Sequence, residues 1–195
     1  MRTLLFAAIM LVASSQAQII QSPSWKLDKA HSQANFSVSH LVIGEVTGRF
    51  NDFEVSMTSF KDDFADVAVE ATIKSASIDT ENEKRDGHLK SDDFLNAEKF
   101  PTIHFKSTSI EKTGDDAYKM TGLLTVRDVT QTVVLDVQYK GTIIDPWGNT
   151  RAAFRAATMV NRFDFGVKWS AVMEAGGFVA GEDVDITLIM EFVKQ

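Results

Sequence analysis

VDITLIMEF, residues 184–192, decides the architecture. Val184, Ile186, Leu188, Met190 and Phe192 fall on one side of an extended chain, with Asp185, Thr187 and Glu191 on the other. Successive side chains of a strand point to opposite faces, so this run reads as a strand with one buried and one wet face. The same period of two recurs upstream. Ala34, Phe36, Val38, His40 and Val42 share a face, followed by Phe53, Val55 and Met57, and then by Val67, Val69, Ala71 and Ile73. Ile103 and Phe105 follow, then Tyr118, Met120, Gly122, Leu124 and Val126, then Val133, Leu135, Val137 and Tyr139. Turn signals separate the runs at Gly44, Gly48, Thr113 to Asp116, Asp145 to Asn149 and Ala175 to Gly177. The count is about eight strands with one or two short helices, an all-β chain. Such strands can form a sandwich or a closed barrel, and their spacing does not choose between the two. Phe36, Phe53, Phe105, Met57, Met120 and Met190 fall on the inward faces, where they either fill a sandwich core or line the pore of a barrel.

One segment departs from the alternation: RDGHLKSDDFLNAEKFPTIHFKS, residues 85–107. Arg85, Asp86 and His88 sit around Gly87 in what reads as a turn. Ser91 is a candidate N-cap, and Asp92 and Asp93 suit the first turn of a helix predicted over 91–97. Phe100-Pro101 stops it, and another turn is expected at 59–64.

Residues 1–17 read as a cleaved export signal. Arg2 precedes the apolar run Leu4 to Val12, and Ser15-Gln16-Ala17 offers a small-x-small cleavage site. The run is shorter than the ~20 residues that span a bilayer. Residues 18–195 then form a single domain, with the periplasm as the expected compartment. The chain carries 20 Lys and Arg against 27 Asp and Glu, and loss of Arg2 with the leader moves the formal charge from −7 to −8. Phosphate backbones would be repelled, which argues against nucleic acid, and no basic cluster points to anionic headgroups. The absence of cysteine excludes thiol catalysis and cysteine metal sites. Asn35-Phe36-Ser37 is a formal glycosylation sequon inside a strand, and no glycan is expected there.

No catalytic or metal constellation emerges. His31, His40, His88 and His104 lack metal-ligand spacing. There is no nucleophile elbow and no Gly-rich phosphate loop. Asp86 and His88 have the chemistry of an acid–base pair, but their spacing suits turn-stabilising hydrogen bonds. Arg85 has the planar guanidinium that a phosphate- or carbonyl-bearing head group needs; the alternative is an ion pair with Asp86 or Asp164. Arg162-Phe163-Asp164-Phe165-Gly166 forms a second charged and aromatic cluster.

Five ordered blocks resemble the YceI-like family of bacterial polyisoprenoid-binding proteins. They are WKLDKAHSQANFSVSHLVIGEVTGRF at 25–50, SIDTENEKRDGHLKSDDFLNAEKFPTIHFKS at 77–107, GLLTVRDVTQTVVL at 122–135, NRFDFGVKW at 161–169 and GEDVDITLIMEF at 181–192. Asp28, His31, Ser32, Phe36, His40, Gly48 and Phe50 stand where that pattern expects them. One departure is Asp128, in a turn where the family usually carries glycine; Asp tolerates left-handed geometry less easily than Gly but better than most residues, so the turn is expected to persist with Asp128 in that conformation.

The resemblance implies an eight-stranded antiparallel, lipocalin-like β-barrel with a long apolar pore. It also implies carriage of an isoprenoid-tailed or quinone-type lipid without catalysis, and with no cofactor beyond that lipid. The tail is expected against Phe36, Val38, Phe53, Val55, Val69, Ile73, Phe94, Phe105, Leu124, Val137 and Ile186, with Arg85 and His88 at the head group. A long-chain lipid is then the partner, without stable membrane insertion, and a homodimer stays open. The competing readings are an enzyme acting on a small lipid through Asp86 and His88, and a ligand-free, stress-related structural module.

Overall fold

The structure, a computed structural model, describes residues 23–171 and 178–195, so the expected leader at 1–17 and the turn expected at Ala175 to Gly177 lie outside the described residues. The strands are β1 (Ser24–Leu27), β2 (Gln33–His40), β3 (Gly44–Phe50), β4 (Phe53–Thr58), β5 (Ala68–Lys74) and β6 (Ile78–Asp79). After helix α1 (Glu83–Lys90) come β7 (Thr102–Lys112), β8 (Ala117–Val126), β9 (Val129–Ile144), β10 (Thr150–Asn161) and β11 (Ala180–Lys194). Neighbours pair antiparallel in the order β1-β4-β5-β7-β8-β9-β10-β11, and β1 pairs with β11 through Trp25↔Lys194 and Leu27↔Phe192. That last pairing closes an eight-stranded barrel and excludes the sandwich. The three further strands are short extensions: β2, β3 and β6 continue the sheet from β11 at one end.

The extra strands arise because long strands break. β1 and β2 both run along β11, separated by a 3-10 turn at Lys29–His31. Asp28 caps that turn by accepting from the Ala30 amide at 3.1 Å. Ser32 Oγ accepts from the Glu191 amide at 3.0 Å and keeps the kink attached to β11. The β3–β4 path bends likewise at Asn51 and Asp52, and β5–β6 bends at Ser75–Ser77.

Topology gives the barrel two distinct ends. The β2–β3 hairpin, the start of β7, the β8–β9 turn and α1 lie at one end. The β4–β5 connection and the β7–β8 and β9–β10 hairpins lie at the other. The second end is closed by aromatic rings. Phe64, on the β4–β5 connection, packs against Trp25 at 5.3 Å, Tyr139 at 5.3 Å and, edge-on, Phe154 at 5.0 Å between centroids. The Tyr118 hydroxyl donates to the Asp63 carbonyl, and the Asp66 carboxylate accepts from Ser59 Oγ at 2.6 Å and from the Phe60 and Lys61 amides.

Inward positions follow the expected alternation, and Gly122 has a specific use there. A Cβ on it would lie 2.4 Å from the Phe105 ring and 2.7 Å from the Lys106 carbonyl oxygen, so the bare glycine lets that ring lie against β8.

Three local expectations are corrected. The helix occupies Glu83–Lys90 rather than 91–97, and Arg85, Asp86 and His88 are helical residues, not turn residues. Asn82 is the N-cap, accepting from the Arg85 amide at 3.0 Å. Ser91 is the C-cap, its hydroxyl donating to the His88 carbonyl at 2.7 Å. Gly87 disfavours a helix interior, and α1 buries none of its residues, so no apolar stripe marked it. In the β8–β9 turn the left-handed residue is Arg127, at φ 57°, and not Asp128. Val42 leaves the inward face, because residues 41–43 form the exposed tip of the β2–β3 hairpin.

Candidate functional site

The barrel interior is a cavity of about 450 Å³, within the ~300–1,000 Å³ range of small-molecule sites. Along the inward face of β11, exposure is 3 % at Phe192 and 9 % at Met190 beside the aromatic floor. Leu188, Ile186 and Val184 are only half-buried, although they too face the cavity. The same gradient along β2 takes Ala34 from buried to half-buried at Phe36 and Val38. Among the described residues the cavity is therefore shut at the Phe64 end and open at the α1 end.

All thirteen residues singled out in the sequence line this cavity. Phe36, Val38, Phe53, Val55, Val69, Ile73, Phe105, Leu124, Val137 and Ile186 come from strands, and Arg85, His88 and Phe94 from the rim. The charged and imidazole side chains of the wall are Arg85, Arg162, His40 and His88, all at the open end, while the Tyr118 hydroxyl at the closed end is taken up by the Asp63 carbonyl. An apolar shaft with its charged groups at the mouth is a shape for an amphipath.

The rim is built by α1 and the segment after it. Arg85 Nε donates to Thr80 Oγ1 and its Nη2 to the Thr80 carbonyl, both at 2.7 Å. Thr80 in turn donates to Asp86 Oδ1 from its amide at 2.9 Å and from its hydroxyl at 2.5 Å. Neither alternative partner, Asp86 nor Asp164, forms an ion pair with Arg85. Among the described residues its Nη1 keeps no protein acceptor. His88 Nε2 lies 2.9 Å from Asp93 Oδ2, and its ring stands edge-on to Phe94 at 5.0 Å and to Trp169 at 5.3 Å. Asp86 and His88 thus have separate partners and do not form an acid–base pair.

Sequence reasoning missed the inward face of β10, with Phe154, Ala156 and Val160, and three wall residues outside the strands or buried against expectation. Phe64 lies on a loop with no alternation to mark it. Trp169 follows the last 3-10 turn and gave no periodic signal. Arg162 stood in a noted cluster, but its burial was illegible. Its Nε donates to the Gly181 carbonyl at 2.7 Å and its Nη1 to the Val167 and Trp169 carbonyls at 2.8 and 2.7 Å. Nη2 reaches the Ala180 carbonyl at 3.2 Å. Only 6 % exposed, the guanidinium has its pKa lowered by burial, and the four carbonyls supply the polar partners that water would. It staples the start of β11 to the strap at 167–169.

A sequence profile of the YceI-like domain matches residues 25–192, nearly the whole barrel. The chain belongs to the YceI-like family. It is 37% identical over 194 residues to Protein YceI of Escherichia coli O17:K52:H18, covering 98% of this chain and 96% of that one. The crystal structure of the Campylobacter jejuni YCEI protein matches with a TM-score of 0.71 and 30% identity, covering 80% of this chain and 90% of that one. A polyisoprenoid binding domain from Saccharophagus degradans, implicated in plant cell wall breakdown, has a TM-score of 0.63 at 15% identity, covering 88% and 98% of the two chains. That last likeness concerns the fold alone.

The early YceI-like block proves largely architectural. Asp28, His31 and Ser32 build the β1–β2 kink. A Cβ on Gly48 would meet the Phe36 ring at 2.4 Å, and Phe36 and Phe50 pack at 5.7 Å. Asp28, His31 and Glu191 converge closely enough to chelate a cation, but Arg151 already occupies the centre, 2.7 Å from Asp28 and 2.5 Å from Glu191. Arg151, and secondarily His31, hold the Asp28 carboxyl down at a pKa of about 2. Arg151 likewise holds the Asp145 carboxyl far below the usual range. An arginine so engaged does not suit a metal site.

Proposed function

We propose that this YceI-like protein is a non-catalytic carrier of one long-chain amphipathic lipid of isoprenoid or quinone type, acting in the periplasm after removal of residues 1–17. The observation that carries the reading is the one-ended apolar cavity, with Arg85, His88 and Arg162 confined to its mouth. The tail lies in the shaft and the head group stays at the rim, near the open Nη1 of Arg85. The polyisoprenoid-binding character named for the Saccharophagus degradans domain is consistent with that choice of tail.

Magnitudes favour the tail. A buried methylene contributes ~0.8 kcal/mol, so ten of them outweigh one or two hydrogen bonds of ~1–3 kcal/mol, and the cost of association and chain ordering falls on both ends of the ligand and reduces the net gain substantially. Against the enzyme reading stand the separate partners of Asp86 and His88. Against a ligand-free module stands the open shaft itself.

The test is mass spectrometry of organic extracts of the protein purified from its native envelope. One stoichiometric long-chain species is the expected result. No bound lipid, together with no uptake of quinones or polyprenols in titration, would overturn the proposal.

A further inference from the structure

We propose that Phe64 is the length gauge of the cavity, the residue that sets the longest apolar tail the barrel accepts. The proposal rests on the carrier reading and deepens it by assigning selectivity to the closed end. Phe64 is not a strand residue whose inward position follows from pleating. It stands on the β4–β5 connection with φ 57°, a left-handed conformation that a bulky residue adopts only when its surroundings hold it there. Its ring is 2 % exposed, forms part of the cavity wall and is wedged among Trp25, Tyr139 and Phe154. Its loop is tied down on both sides, by Tyr118 to Asp63 and by Asp66 to Ser59, Phe60 and Lys61. The floor is therefore a fixed surface, and the closed ring of strands allows no escape sideways.

A fixed floor has a selectivity consequence. From Val184 to Phe192 along β11, at ~3.3 Å per residue and a strand tilt of ~40°, the shaft is roughly 20 Å deep. Each methylene added to a tail within that depth leaves water and tightens binding. A methylene beyond it stays in water or forces the tail to fold back, and gains nothing. Affinity should rise with tail length and then break, and the break should sit where the tail reaches the Phe64 ring.

The test measures binding of a homologous series of all-trans polyprenols, geraniol through solanesol, to the delipidated full chain by native mass spectrometry and intrinsic tryptophan fluorescence. Phe64→Ala sinks the floor and should move the break to longer tails. Ala156→Phe raises it and should move the break to shorter ones, because Ala156 is buried on the inward face of β10, next above Phe154. Phe64→Leu carries the first arm if Phe64→Ala does not fold. A structural role alone would not move the break in opposite directions. A break unchanged in both folded variants, while wild-type protein binds the series, overturns the gauge and leaves the carrier reading standing. Wild-type protein that binds no polyprenol of any length overturns the polyprenyl carrier reading, and the gauge with it.

Discussion

Arg151 Nη1 lies 2.7 Å from Asp28 Oδ2, joining the start of β10 to the β1–β2 kink across 123 residues of chain. The same guanidinium reaches Asp145 at 2.7 Å through Nε and Glu191 at 2.5 Å. One cation thus ties the β9–β10 hairpin, the end of β11 and the end of β1 together, next to the seam where β1 closes the barrel.

The sign of the resulting pH dependence follows from Asp28. Its carboxyl has a usual value of 3.8, and its pKa in the fold is about 2, so ionised Asp28 stabilises the protein above the usual value. That contribution disappears as pH falls through about 2. Asp28→Asn should be less stable than wild type at neutral pH in urea unfolding, and the difference should close between about pH 4 and pH 2. A difference that does not change with pH would show that the pair is not linked to stability.

Gly122→Ala should destabilise the barrel by about 1–3 kcal/mol, the usual cost of overpacking. The added methyl meets both the Phe105 ring and the Lys106 backbone oxygen, and the backbone cannot rotate away. Thermal unfolding checks this, and an unchanged midpoint would mean that the two strands separate without penalty.

Arg127 clamps the rim. Its Nη1 donates to the Asp92 and Phe94 carbonyls at 3.1 and 3.0 Å, its Nη2 reaches Asp92 Oδ1 at 3.1 Å, and the guanidinium sits 5.4 Å from the centre of the Phe100 ring. Arg127→Ala should cost about 1–3 kcal/mol and, more tellingly, speed amide exchange over residues 91–100 selectively. Exchange that rises evenly across the whole barrel would contradict a local clamp.

Arg85→Ala should change which lipids co-purify more than how much lipid is retained, since the tail supplies most of the affinity. Extracts of wild type and variant, compared by mass spectrometry, decide it. Identical lipid composition in the two would remove Arg85 from head-group selection.

Legibility in the sequence tracked periodicity. Wherever one strand face is apolar, the inward residues could be read off, and Phe105, Leu124, Val137 and Ile186 stand on the cavity wall for that reason. Helix α1 is hard to place from sequence because Gly87 and a polar surface disguise it, and Ser91 is as suitable a partner at the end of a helix as at its start. Asp86 and His88 looked like neighbours in a turn. On a helix their side chains diverge, one to Thr80 and the other to Asp93.

The sequence by itself determined the all-β class, the inward face of most of the strands and the YceI-like family, because pleating turns spacing of two into sidedness and the ordered blocks carry the resemblance; the face of β10, with Phe154 and Ala156, came only with the structure. Only the tertiary structure decided that β1 pairs with β11 to close the ring, that the Phe64 loop shuts one end, and that Arg162 is buried among four carbonyls. Those are contacts between residues far apart in the chain, made by loops and single side chains whose local sequence has no period to read. An alternating strand looks the same whether it lines a filled core or an open shaft.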